Sequence, residues 1–315
     1  MKIVFMGTPE FASGILEAIF LSGKHEICGV ITAVDKPAGR GMQLMKSSVK
    51  QFAEKHQLKL FQPEKLKDTS FIETLQSLHA DVFVVVAFRM LPEAVWKIPP
   101  KGTFNLHASL LPQFRGAAPI NWALIHGESS TGVTTFFIND KIDEGNLILS
   151  NKIAISNDDN AGSLHDKLLE IGKQSVLKTL EQIETDTYIE TKQPEIDNLK
   201  TAPKLFKEDG RIHWQESARN IHNLIRGLSP SPTAFTLFTN ENGQEMMIKI
   251  FKSKAELCFH NQAVGLIETD NKTYLRIGCV DGFIYVEEIQ LVGKKRLPIK
   301  NFLLGNKNLH LKQCR

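Results

Sequence analysis

Residues 105–119 read NLHASLLPQFRGAAP. On a strand, positions i and i+2 share a face. Asn105 and His107 therefore project together, with Leu106 turned the other way into a core. An amide donor beside an imidazole that holds or passes a proton near neutral pH suits acyl transfer to an amine. The donor steadies a developing oxyanion, and the imidazole handles the proton of the attacking nitrogen. A carboxylate comes from the D-x-G turn of NDKIDEGN, where Asp143 could orient the imidazole and favour its charged form. Plainer readings stay open on spacing alone. A single histidine after a strand is commonly structural, an Asp before Gly commonly builds a turn, and Asn105 could be a cap. Ser109 has neither a base partner nor a nucleophile-elbow context, which argues against a serine hydrolase. Arg115 and Gly116 are expected to cap and start the next helix.

These groups need a rigid frame. KIVFMG, EICGVITA and DVFVVVAF are near-continuous apolar runs separated by helical stretches. Thr8 and Pro9 signal a helix start and Gly23 a stop. Helices are expected near 45–56 and 68–79, and another with apolar period over 157–186. Apolar strands alternating with helices predict an α/β fold with a Rossmann-like, mostly parallel, doubly wound sheet. Ligands of such sheets lie at the carboxyl ends of the strands, and Asp143 is expected at such an end. The first strand–helix turn reads GTPEFASG, not G-x-G-x-x-G, so the dinucleotide fingerprint is missing and an NAD dehydrogenase is disfavoured.

A chain of 315 residues predicts about two domains. The expected boundaries are a catalytic domain over 1–189, a polar linker over 190–203 and a C-terminal domain over 204–315. In the last, MMIKIFKS, VGLIET, TYLRIGC and GFIYVEEIQL are short alternating runs with DN and DG turns, which predict a small β-barrel of OB-like type. The net charge of +3 hides an asymmetry: 204–315 carries 17 Lys+Arg against 11 Asp+Glu, and 1–203 carries 21 against 24. A basic C-terminal half fits a polyanionic partner, or merely a solvated lysine-rich surface. Cys28, Cys258, Cys279 and Cys314 lack metal or disulfide spacing. They read as free thiols in a reducing compartment, with no metal, no membrane span and a cytoplasmic location. A monomer is expected.

NLHASLLPQFRGAAPINWAL together with DEGN resembles the signature of the 10-formyltetrahydrofolate-dependent formyltransferases. MGTPEFA, DKPAGRGMQLMKSSVK and KLFKEDGRIHWQESARNIHNLIRGLSPSPTAF extend the likeness over nearly the whole chain, toward the branch that acts on initiator methionyl-tRNA. The resemblance implies formyl transfer from 10-formyltetrahydrofolate to the α-amino group of methionine on that tRNA, supporting translation initiation. It implies Asn105, His107 and Asp143 as the catalytic trio. It implies a folate wall from Ser109, Leu110, Leu111 and Pro112, and main-chain pteridine contacts from Phe88, Arg89, Met90 and Leu91. The chain departs from the pattern at Phe88-Arg89, where many members carry Tyr-Gly. It departs again at LMKSSVK, where prolines are common.

The tRNA would meet two basic clusters. The loop at 34–50 carries Lys36, Arg40, Lys46 and Lys50 against one acid, Asp35, with Gly39 and Gly41 flanking Arg40. In the family, the matching loop enters the tRNA acceptor end. The run VGKKRLPIK offers Lys294, Lys295, Arg296 and Lys300 as a phosphate patch. Formyltransferases with small amine substrates would share the trio, so the trio does not discriminate. The basic domain and the Arg40 loop favour RNA, whether for catalysis or for a noncatalytic RNA-binding module.

Overall fold

A computed structural model describes residues 1–38, 43–239, 245–305 and 313–314. The chain divides into two compact units. One comprises Met1–Pro119, Thr131–Ile153 and His165–Thr201, and the other Ile120–Ser130, Ala154–Leu164 and Ala202–Arg315.

The elements of the first stretch are β1 (Lys2–Gly7), α1 (Glu10–Ser22), β2 (Glu26–Ile31), β3 (Lys36–Ala38), β4 (Gln43–Met45), α2 (Ser48–Lys55), β5 (Leu60–Phe61), α3 (Thr69–Ser77), β6 (Val82–Val86), α4 (Glu93–Trp96), β7 (Thr103–His107) and β8 (Arg115–Gly116). After α5 (Pro119–Ile125) come β9 (Ser130–Phe137), β10 (Leu147–Ala154), α6 (Ala161–Glu184) and β11 (Thr201–Ala202). Helix α1 follows Pro9 and stops where Gly23 enters the left-handed region, its N–H returning to the Phe20 carbonyl. This is the proline-in, glycine-out pattern expected from the sequence.

The main sheet runs β10–β9–β7–β6–β1–β2–β5. Strands β1, β2, β5, β6 and β7 are parallel, and β9 is antiparallel to β7. The chain winds outward from β1 and then returns to β6, so the order reverses between β1 and β6. All five residues of β6 are buried, as a strand covered on both faces requires. Phe5, Phe83 and Phe104 are fully buried; each such side chain contributes on the order of 2 kcal/mol. Gly7 ends β1 at the reversal. A Cβ there would lie 2.6 Å from that of Ala12 and 2.9 Å from the Val86 carbonyl, so only glycine fits.

In the second unit follow α7 (Ala218–Gly227), β12 (Ala234–Thr239), β13 (Glu245–Leu257), β14 (Ile267–Thr269), β15 (Leu275–Cys279), β16 (Gly282–Leu291), β17 (Leu297–Pro298), α8 (Ile299–Gly305) and β18 (Gln313–Cys314). The sheet order is β14–β15–β16–β13–β12–β18, with β17 on β16. The N–H of Cys314 on β18 donates to the Gly265 carbonyl just ahead of β14, at 2.8 Å, so the two ends of the sheet meet as a barrel. Helix α7, capped by Ser217, places Ala218, Ile221 and Ile225 on the barrel core beside Trp214 and Ile284. Among the described residues, no helix is long and apolar enough to cross a membrane.

Candidate active site

Strand register decides which side of the sheet Asn105 and His107 face. Asn105 is the neighbour of Val85 on β6. Val85 belongs to the core under α3, with Phe71 and Leu75. Leu106 faces the opposite side, where a Cβ on Gly172 of α6 would meet its Cδ2 at 3.1 Å. Asn105 and His107 thus share a face, as the alternation predicts. His107 is 6% exposed. Its Nε2 lies 2.8 Å from the Phe114 carbonyl. A carbonyl only accepts, so Nε2 carries the hydrogen of that bond. Nδ1 lies 3.8 Å from Asp143 Oδ2, within ion-pair reach. Asn105 is half-buried, and its amide has no hydrogen bond to another described residue.

Asp143 arrives by a different route from the expected one. Because β9 is antiparallel to β7, its last residue, Phe137, pairs with Phe104, at the end of β7 away from His107. The crevice-facing strand end expected for Asp143 is therefore not its position. Residues 138–146 fold back instead. Asn146 O accepts from Phe137 N–H at 2.9 Å, closing the loop at its base. Asp143 sits at φ 54°, and its Oδ2 accepts from the Gly116 N–H at 2.9 Å. Arg115 and Gly116 do not start a helix; they form β8, and α5 begins at Pro119. Residues 114–116 hold both partners: the Phe114 carbonyl takes His107, and the Gly116 amide takes Asp143. This local tie, from three consecutive residues of the opening stretch, carries no spacing signal.

Of the expected folate wall, Ser109 is fully buried and donates its hydroxyl to the Gln113 carbonyl at 2.6 Å. Leu111 and Pro112 are buried and Leu110 is half-buried. Phe88 packs on the α3-side core and Leu91 is inside it. Arg89 turns its guanidinium to the Glu64 carbonyl at 2.8 Å and to that of Pro63. Met90 is exposed. Main-chain groups of residues 88–90 make no backbone–backbone hydrogen bond to another described residue. They begin two residues past the end of β6, at the strand-order reversal.

The candidate RNA contacts fall out unevenly. Lys36 is exposed on β3, which pairs with β4. Arg40 lies outside the described residues. Lys46 bonds Glu54 at 2.7 Å. Lys50 is a clamp: its Nζ donates to Asp35 Oδ2 at 2.6 Å and Gln62 Oε1 at 2.8 Å, and Gln62 Nε2 donates to Asp35 Oδ1 and the Ala33 carbonyl. The Lys50 and Gln62 hydrogen bonds hold the Asp35 carboxyl below its usual range. A depressed carboxyl stabilises the fold above its unfolded value of ~4 and loses that contribution as pH falls through the lower folded value. Lys50→Ala should therefore lower the thermal midpoint at pH 7 and by less at pH 3, followed by circular dichroism. It should leave the salt slope of RNA binding unchanged. Lys294, Lys295 and Lys300 are exposed. Arg296 pairs with Glu288 and lies 4.3 Å over the Phe251 ring.

Sequence reasoning missed Gln193. It lies in the stretch expected to be a linker, yet is 6% exposed and bonded to the Asp143 turn. Thr191 and Leu147 exchange main-chain hydrogen bonds, and Lys200 O accepts from Phe114 N–H. A polar, proline-punctuated stretch carries no apolar period to announce such packing.

Two family models match the chain, formyl transferase over residues 1–180 and formyl transferase, C-terminal domain, over residues 204–307. A methionyl-tRNA formyltransferase of Flavobacterium psychrophilum is 51% identical over 97% of this chain and 96% of its own. One from Bacteroides fragilis is 48% identical over 97% and 95%. Among solved structures, the sugar 3N-formyl transferase WlaRD superposes with a TM-score of 0.67 at 22% identity, covering 94% of this chain and 99% of its own. An N-formyltransferase from Helicobacter canadensis does so with a TM-score of 0.65 at 21% identity, covering 94% and 100%. At that identity these two speak for the fold.

Proposed function

The chain belongs to the formyl transferase family, and from that premise we propose its reaction. It transfers a formyl group from 10-formyltetrahydrofolate to the α-amino group of methionyl initiator tRNA, in the cytoplasm. The observation that carries this reading is 51% identity to a methionyl-tRNA formyltransferase over 97% of the chain, both halves included. We read the chain as a monomer; the Cys314 N–H bond to the Gly265 carbonyl gives the two ends of the barrel's sheet a partner in each other, which supports that reading.

The donor supplies a formyl carbon bound to a nitrogen that can leave. Residues 88–90 offer main-chain donors and acceptors that fit the amide-like edge of a pteridine. Attack by the methionine amine builds negative charge on the formyl oxygen. Asn105 and the imidazolium form of His107 donate to that oxygen; each such donor is worth on the order of 10²–10³-fold in rate. Asp143 keeps the imidazolium oriented. We assign it also the relay, through water, of the proton shed by the amine to the departing nitrogen. The bond from carbon to the donor nitrogen breaks as the new amide forms.

A formylation assay with 10-formyltetrahydrofolate, comparing initiator and elongator methionyl-tRNA, tests the reading. Formylation strongly favouring the initiator is expected. No transfer to either tRNA, or transfer to an amino-sugar nucleotide alone, would overturn it. The two basic clusters separate in the same assay. Arg40→Ala should cut turnover on initiator tRNA strongly. Replacing Lys294, Lys295 and Lys300 together by alanine should weaken every tRNA alike. It should also flatten the salt slope of log Kd by about one unit per lost phosphate contact. Equal effects of the two changes would argue against the split.

A further inference from the structure

We propose that Gln193 is a positioning residue for the transfer reaction, acting on Asp143 without touching substrate. The inference rests on the reading of Asp143 above. Every hydrogen-bonding position of the Gln193 carboxamide is used. Its Nε2 donates to the Asp143 carbonyl at 2.8 Å and the Gly145 carbonyl at 2.9 Å. Its Oε1 accepts from Arg115 Nη2 at 2.7 Å and Nε at 3.2 Å. A carboxamide has two donors and two acceptor lone pairs, so the group is saturated and its orientation fixed. At 6% exposure it has little access to solvent and none of its polar capacity is left for a ligand.

The two sides it joins are the two that set the His107–Asp143 spacing. On one side, the Nε2 bonds bracket the turn that carries Asp143, itself in the left-handed region at φ 54°. Such a residue holds its place only when its surroundings impose it. On the other side is Arg115, whose chain neighbours Phe114 and Gly116 bind His107 and Asp143. Arg115 reaches the same turn a second time through Nη1 to Glu144 Oε1, at 3.1 Å. Gln193 is anchored in turn by the Thr191–Leu147 main-chain pair. Removing the carboxamide leaves two turn carbonyls without their donor and leaves Arg115 tied to the turn by Glu144 alone, so the Asp143 carboxylate loses its fixed distance from His107.

The test is a double-mutant cycle on the full chain, with kcat and KM for both substrates measured well below the unfolding midpoint. Gln193→Ala should lower kcat by on the order of 10- to 100-fold, the scale of a displacement near 1 Å, with KM changed less than about threefold. Asp143→Asn keeps an acceptor for Gly116 but loses the carboxylate. In that background Gln193→Ala should cost less than about twofold, because nothing charged remains to be positioned. Equal losses in both backgrounds would overturn the proposal, as would no loss in either, since a merely structural glutamine behaves in one of those ways. Should Gln193→Ala fail to unfold cooperatively, Gln193→Met fills the same volume without hydrogen bonds and takes its place in the cycle. Near-normal turnover by Asp143→Asn alone would remove Asp143 from the mechanism, a failure of the underlying reading that the cycle reports separately.

Discussion

His107→Ala is expected to lower kcat for methionyl-tRNA formylation by about 10²–10³-fold, the range that one charged donor to a developing oxyanion supplies. The KM for tRNA and for the formyl donor should stay within a few-fold. The reason lies in the ring's two nitrogens. Nε2 is spent on the Phe114 carbonyl, a structural tie 2.8 Å long. Nδ1 lies 3.8 Å from Asp143 Oδ2, and in the proposed reaction it is the nitrogen left to donate to the formyl oxygen. Alanine removes both, so a second variant separates them. In His107→Gln the amide can still donate to Phe114, which keeps the loop in place, yet it brings no positive charge to the formyl oxygen. Both variants should therefore fall together in kcat. Recovery of near-normal turnover by His107→Gln would show that the ring matters only as a tie to Phe114, and would end its role as the charged donor to the formyl oxygen.

The parts of this site that were legible in the sequence are those set by local periodicity. Alternation along one strand put Asn105 and His107 on one face and Leu106 on the other, because the pleat leaves no choice. The apolar strands and the Pro9–Gly23 bracket of α1 were legible for the same reason. Asp143 was legible as a residue but not as a position. Its place depends on β9 running antiparallel to β7, a pairing between distant segments that no local pattern specifies. Lys50 read as one member of the basic loop over 34–50, since the sequence does not show Gln62 and Asp35 converging on it. Residues 190–203 read as a connection. Their contribution is made of individual hydrogen bonds from Thr191, Gln193 and Lys200, and polar contacts of this kind leave no periodic trace.

The turn that delivers Asp143 makes a second severe prediction, at a residue with no side chain. Gly145 lies so close to β9 that an added Cβ would stand 1.6 Å from the Phe137 carbonyl oxygen and 2.8 Å from its carbon. Both are main-chain atoms, so no rotamer change relieves the clash. The turn must move by more than an ångström. Moving it strains the Phe137–Asn146 hydrogen bond and the one from Gln193 to the Gly145 carbonyl. Overpacking of this kind together with two weakened buried hydrogen bonds comes to about 3 kcal/mol of stability. The kinetic loss should exceed what unfolding explains. A carboxylate displaced by about 1 Å costs on the order of 10²-fold in turnover. Gly145→Ala should thus lower the thermal midpoint by several degrees. At a temperature where the variant is still fully folded, its kcat should approach that of Asp143→Asn. Asn146, which follows the glycine, serves as a control, because its side chain is exposed and truncating it leaves the main-chain contact untouched. A Gly145→Ala protein that folds and turns over normally would mean that the turn can seat elsewhere, and that the close approach to Phe137 does not set the position of Asp143.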